Sequence, residues 1–170
     1  MKKVLTVLAV LVAFAANGQD AISRFFDKYA DDETFTNVTI TSRMFSLFTD
    51  LEMESKEDQE ILDAISKLKG LKILAKEEVN GKAMYKEALG LLPKGEFDEL
   101  MSIKDEDKDM KFMIKENDKK ISELVMIMGG DKEFFILTLF GEIDLKQVAK
   151  ISKAMDIDGL DNLNKLDKGN

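Results

Sequence analysis

"KISELVMIMGGDKEFFILTLFGEI", residues 120–143, decides the fold. Two runs of alternating residues flank the glycine-bearing link GGDK, the composition of a tight hairpin. A half-buried strand is apolar on one face and polar on the other. Here both parities are apolar. Leu124, Met126 and Met128 alternate with Val125 and Ile127, and Phe135, Leu137 and Leu139 alternate with Phe134, Ile136 and Phe140. Both faces of the hairpin need cover, which predicts a central position with helices on either side. The competing reading leaves one face open to a ligand or partner. Its candidate apolar interaction surface is Leu124, Met126, Met128, Phe134, Ile136 and Phe140.

Reading outward, the period of two begins near Glu96. "EFDELMSIKD" and "KDMKFMIKEN" precede the hairpin, joined by short charged links. Four successive strands with such links make an antiparallel meander. Upstream, "FTNVTIT" (35–41) alternates and carries the threonines that favour strands. "LKILAKEEV" (71–79) is a further strand. Helices are predicted over 21–30, with Ile22, Phe25, Phe26 and Tyr29 on one face, and over "SRMFSLFTDL". Another runs from Ser55 to about Lys69, with Gly70 as its stop. "NGKAMYKEALGLLP" is a fourth, ended by Pro93, the only proline. Asp144 caps a last helix, with Gln147 at its third position and Leu145, Val148, Ile151 and Met155 inward. The fold class is therefore α+β, an antiparallel β-meander of about five or six strands with amphipathic helices packed on it.

The N-terminus, "MKKVLTVLAVLVAFAANGQ", has the layout of a cleavable export signal. Lys2 and Lys3 precede an apolar run, and the small residues Ala16 and Gly18 come before Gln19. The run is shorter than the ~20 residues of a spanning helix. The expected organisation is a signal peptide over 1–18, a single α+β domain over 19–155 and a polar tail over 156–170. The expected location is the periplasm, with no membrane span left after cleavage. With no cysteine the chain cannot be a lipoprotein. The formal charge is −8 and would fall to −10 when Lys2 and Lys3 leave with the signal. Nucleic acids and anionic membranes want basic patches, so this balance argues against both.

The chain contains no His, no Cys and no Trp. Ser-His-Asp and Cys-His catalysis are excluded, as are zinc sites built on His or Cys, thiolate clusters and His-ligated haem. No cofactor is expected. Carboxylate chemistry remains open. Asp31, Asp32 and Glu33 stand in a row after the first helix, and a cation site there would need the backbone to curl until their oxygens converge. A solvated turn is the plainer reading. "DIDGLD" (156–161) lacks the spacing of a calcium loop. The ten methionines are scattered through different elements, as core filler is.

"FFDKYADDETFTNVTITSRMF" (25–45), "LKILAKEEV" and "ELVMIMGGDKEFFILTLFGEIDLKQVAKISK" together resemble the exported domain-of-unknown-function 4252 family of Bacteroidota. The segment 25–45 and "LTLFGEIDL" carry most of the resemblance, which spans nearly the whole chain after the signal. The family has no assigned activity, so no catalytic residue is carried over. The resemblance implies export and a setting near sigma-factor and anti-sigma genes, hence envelope sensing or regulation. Many members look like lipoproteins, and this chain departs from them in lacking cysteine.

The leading expectation is a non-enzymatic periplasmic binding or interaction domain. Its partner would be an envelope protein or a hydrophobic small molecule. The alternatives are a carrier of a lipid or other hydrophobic ligand, which needs a closed apolar cavity, and a carboxylate-based cation binder or hydrolase at Asp31, Asp32 and Glu33.

Overall fold

A computed structural model describes residues 21–47 and 55–146, with Val148. Its elements in chain order are α1 (Ala21–Lys28), β1 (Thr36–Thr41), α2 (Ser42–Ser46), α3 (Lys56–Ser66), β2 (Leu68–Glu77), α4 (Gly81–Leu91), β3 (Asp98–Lys104), β4 (Lys108–Asn117), β5 (Lys120–Gly130) and β6 (Glu133–Ile143). All six strands join one antiparallel sheet in the order β1-β2-β6-β5-β4-β3. The meander is β3 to β6, and the earlier hairpin-like pair β1–β2 adds to its far side through β2 and β6. The quoted hairpin therefore sits at the centre of the sheet, with two strands beyond each of its own.

Register divides the side chains between two faces. Leu124 lies opposite Leu139, Met126 opposite Leu137 and Met128 opposite Phe135. They share one cluster with Phe112, Ile114, Phe45 and Val148. Val125 opposite Thr138 and Ile127 opposite Ile136 point to the other face. There they meet Ile22, Phe25 and Phe26 of α1 and Met84, Tyr85 and Ala88 of α4. Phe25 of α1 sets its ring 5.6 Å from that of Phe134. The second face is thus roofed by two helices, and the first by α2, by α3 through Ile65, and by Leu145 and Val148.

The seat of α4 depends on two glycines. Asn80 caps the helix, its side chain accepting the Ala83 N–H at 3.0 Å. A Cβ on Gly81 would lie 1.7 Å from the Glu133 carbonyl oxygen, and one on Gly129 would lie 2.3 Å from the Gly81 carbonyl oxygen. The helix start therefore rests backbone to backbone on the β5–β6 hairpin, which only residues without a side chain permit. A Cβ on Gly130 would meet the Glu133 side chain at 2.9 Å, a group that can move aside.

Two elements begin or end differently from the sequence reading. The third helix stops at Ser66, and Gly70 lies inside β2, opposite Thr41 and Phe140. The cause is β6: the Lys67 carbonyl accepts the Glu142 N–H, and Leu68 pairs with Gly141, whose φ of 139° lets the chain approach closely. Strand pairing captures residues that helix spacing would assign to α3. At the other end, Asp144 caps a turn as expected, accepting the Lys146 N–H on its side chain and the Val148 N–H on its carbonyl. Gln147, Ile151 and Met155 lie outside the described residues. So do the signal segment, the tail and residues 48–54, which include the last part of the helix expected over SRMFSLFTDL. Among the described residues, no helix is long and apolar enough to cross a membrane.

Candidate functional site

The acidic run is a turn tied down by its neighbours. The Asp32 carboxylate accepts from the Thr34 N–H at 3.0 Å and from the Thr34 hydroxyl at 2.5 Å. These bonds, helped by Lys76, hold its carboxyl below the ordinary value. The Lys76 ammonium donates to Thr34 Oγ1 at 2.7 Å and stands over the Phe35 ring, anchoring the turn to β2. Asp31 and Glu33 are exposed. Among the described residues no three carboxylates converge on a point that would hold a cation.

The six apolar hairpin residues do not make one surface. Leu124, Met126 and Met128 face one cluster, and Phe134 and Ile136 face the opposite one. Leu124 and Ile136 are fully buried, and Met126 and Phe134 are 1% exposed. Met128 and Phe140 are half-buried. The physical reason is the central place of β5 and β6. Each strand is paired on both edges, so the only surfaces left to cover are the faces, and both are covered.

The face under α1 contains one buried polar pair. The Thr138 hydroxyl donates to Glu123 Oε1 at 3.0 Å, with Glu123 5% exposed and Thr138 fully buried. A buried carboxylate is costly unless it is hydrogen-bonded, and this bond offsets part of that cost. Across the register, Lys115 lies opposite Glu123 and Lys72 opposite Thr138.

The clefts are open and polar. One lies between the start of α4 and the β5–β6 turn, lined by Glu78, Asn80, Lys82, Lys86, Asp131 and Lys132. The Lys82–Asp131 ion pair, 2.7 Å long, crosses it and holds the lysine's pKa above the ordinary value. Another runs past Arg43, Ser66, Asn117 and the 2.7 Å Lys120–Glu142 pair. Neither lining suits a lipid tail.

The exposed apolar side chains lie elsewhere. Val38 is 37% exposed, Met44 47% and Leu47 59%, and Leu91 at the end of α4 is 36% exposed. Val38 is in β1, Met44 in α2, and Leu47 ends α2. Among the described residues β1 is an edge strand, paired only with β2, and its residues are exposed apart from the half-buried Ile40. It reads TNVTIT, without a charge, a proline or a bulge. An edge of that kind displays unpaired N–H and C=O groups to any strand that approaches. The opposite edge, β3, reads DELMSIK. It carries Asp98, Glu99 and Lys104 and a register shift between Glu99 and Met101. Charge and bulging are devices that stop edge pairing. Val38, Met44 and Leu47 do not stand out in the sequence as functional residues. The charge-free run at 36–41 was visible there, but its place at the edge was not.

No curated protein and no solved structure matches the chain. A family model described as a domain of unknown function, DUF4252, matches residues 29–151, a span that takes in all six strands. On that match the chain belongs to the DUF4252 family.

Proposed function

We propose that this protein is an exported, non-enzymatic interaction domain that binds through its β1 edge. The observation that carries the proposal is the contrast between the bare β1 edge, with Val38, Met44 and Leu47 exposed beside it, and the charged, bulged β3 edge. The mechanism is strand addition: main-chain hydrogen bonds supply affinity, and the neighbouring apolar side chains supply selectivity. Export rests on the signal-like N-terminus, and the envelope-sensing or regulatory role rests on the family resemblance. Buried cores on both faces and polar clefts weigh against the lipid-carrier reading. The Thr34-bound Asp32 weighs against a cation site in the acidic turn.

The test is site-specific photo-cross-linking in the producing cell, with the reactive group at Thr39 of β1 or at Ser102 of β3. Adducts at Thr39 that disappear in Val38→Lys, with none at Ser102, support the proposal. Equal adducts at both positions, or none at Thr39, contradict it.

A further inference from the structure

We propose that the cleft between α2 and the β4–β5 turn binds a phosphate monoester of a small polyol, with the phosphate held by Arg43, Lys67 and Lys69 and the hydroxyls turned toward Glu142 and Asn117. The proposal is independent of the β1 edge and adds a ligand to the reading above. It is argued from an excess of cations in an acidic chain, from where the fold puts them, and from a strained turn that ends the cleft.

The chain as a whole is acidic, with a formal charge of −8. The cleft reverses that balance. Among the described residues of its lining, Arg43, Lys67, Lys69 and Lys120 are cations and Glu142 is the one acid. Lys120 is paired with Glu142 at 2.7 Å. Lys120 first, and Lys67 after it, hold the Glu142 carboxyl below its ordinary value, which puts Lys67 within electrostatic reach of that pair. Arg43, Lys67 and Lys69 are exposed and carry no ion pair among the described residues. Three uncompensated positive charges in one place repel one another, and an anion between them relieves that cost.

Strand pairing brings these groups to one end of the sheet. Thr41, the last residue of β1, pairs with Gly70, so α2 starts beside Lys69. The Glu142 N–H donates to the Lys67 carbonyl, and Leu68 pairs with Gly141. Asn117 pairs with Lys120 across the β4–β5 turn. The three unpaired cations therefore lie on the β2 side of Glu142. Asn117 lies on the other side, two strand spacings or about 10 Å from β6. An arginine fork beside two ammonium groups is the equipment that holds a phosphate. The cleft, with a volume of about 750 Å³, is of small-ligand size, so a phosphate at the cationic end leaves room for the rest of a molecule. The Glu142 carboxylate accepts from hydroxyls, and the Asn117 amide both donates and accepts, which suits a polyol. Asp118 and Lys119, between Asn117 and Lys120, have φ of 51° and 64°. That left-handed conformation favours Asn-Gly and is strained for these two. Lys119 in place of glycine keeps a further cation at the mouth of the adjoining cleft, which shares Lys67, Lys120 and Glu142 with this one. Backbone strain of this kind gathers at ligand sites.

The cleft is open and its cations are exposed, so binding is weak and falls as salt rises. The full chain is titrated with glucose 6-phosphate at low ionic strength and followed by amide chemical shifts. Saturable shifts are expected at Arg43, Lys69, Asn117 and Ser122, and none at Lys86 of the cleft beside α4. Inorganic phosphate should bind about fivefold more weakly, and uncharged glucose should not bind. Arg43→Gln and Lys69→Gln, both at exposed positions and checked for a native spectrum, should each weaken binding about tenfold. Lys86→Gln should leave it unchanged. No saturation by about 10 mM overturns the proposal. So does equal affinity for inorganic phosphate, or undiminished binding by Arg43→Gln and Lys69→Gln.

Discussion

The sheet has two edges built to opposite rules. β3 presents three charged residues and a bulge, and Lys111 of β4 pairs with Glu99 along it. β1 presents four threonine or valine residues among its six and no charge. β3 ends the meander and β1 ends the added pair, and the strands β5 and β6 at the centre carry most of the fully buried side chains. The difference points to where a partner would dock in a chain without His, Cys or Trp. An unprotected edge is a standing aggregation hazard unless something covers it, which is the role proposed for the partner of β1.

The comparison would break first if the middle of the sheet behaved like an edge. Phe134, 1% exposed against Phe25, is core. Phe134→Asp is expected to cost at least about 4 kcal/mol, enough to remove the cooperative urea transition of a domain of ordinary stability. A variant that stays folded but loses a partner would return the hairpin to the list of surfaces.

Alkali gives the next largest effect. Tyr85 of α4 packs in the same core, and burial, with Asp109 and Glu99 adding to it, pushes its phenol up to about 12. The unfolded chain then releases this proton more readily than the folded one. Stability from this group is intact below pH 10 and is lost as pH rises from 10 to 12, by about 2–3 kcal/mol at most. Tyr85→Phe should flatten that part of a stability profile measured by urea titration.

The edges themselves should respond weakly in stability and unequally in association. Val38→Lys is expected to change unfolding free energy by less than about 1 kcal/mol, since the site is an exposed edge position. The same change should remove the adducts that a cross-linker at Thr39 forms in the producing cell. Ser102→Lys on β3 should alter neither quantity. A loss of association in Ser102→Lys equal to that in Val38→Lys would erase the contrast between the edges.

Most of this architecture was legible in the sequence because alternation is a local signal. β4 and β5 occupy the expected residues, and β6 lies within the expected run. The class, α+β with an antiparallel sheet of six strands, is as expected. Membership of the DUF4252 family was visible in "LTLFGEIDL" and the segment 25–45. The pairing of β2 with β6 was not, because it joins segments about 65 residues apart that share no turn. That single pairing decides the rest. It makes the hairpin central, puts Gly70 in a strand and leaves β1 at an edge. The candidate surface over Leu124, Met126, Met128, Phe134, Ile136 and Phe140 took even-numbered residues from both strands, but the β5–β6 register sets even residues opposite odd ones, so those of β5 and those of β6 face opposite sides. The acids at 31–33 were legible as a turn, and the Asp32–Thr34 bonds supply the mechanism.

The most direct test of the unequal edges is backbone amide hydrogen exchange on the unmodified protein in buffer and in an envelope extract of the producing cell. The account predicts that amides within Thr36–Thr41 gain protection in the extract, while those within Asp98–Lys104 do not change. Protection that rises at β3, or at neither edge, would contradict it.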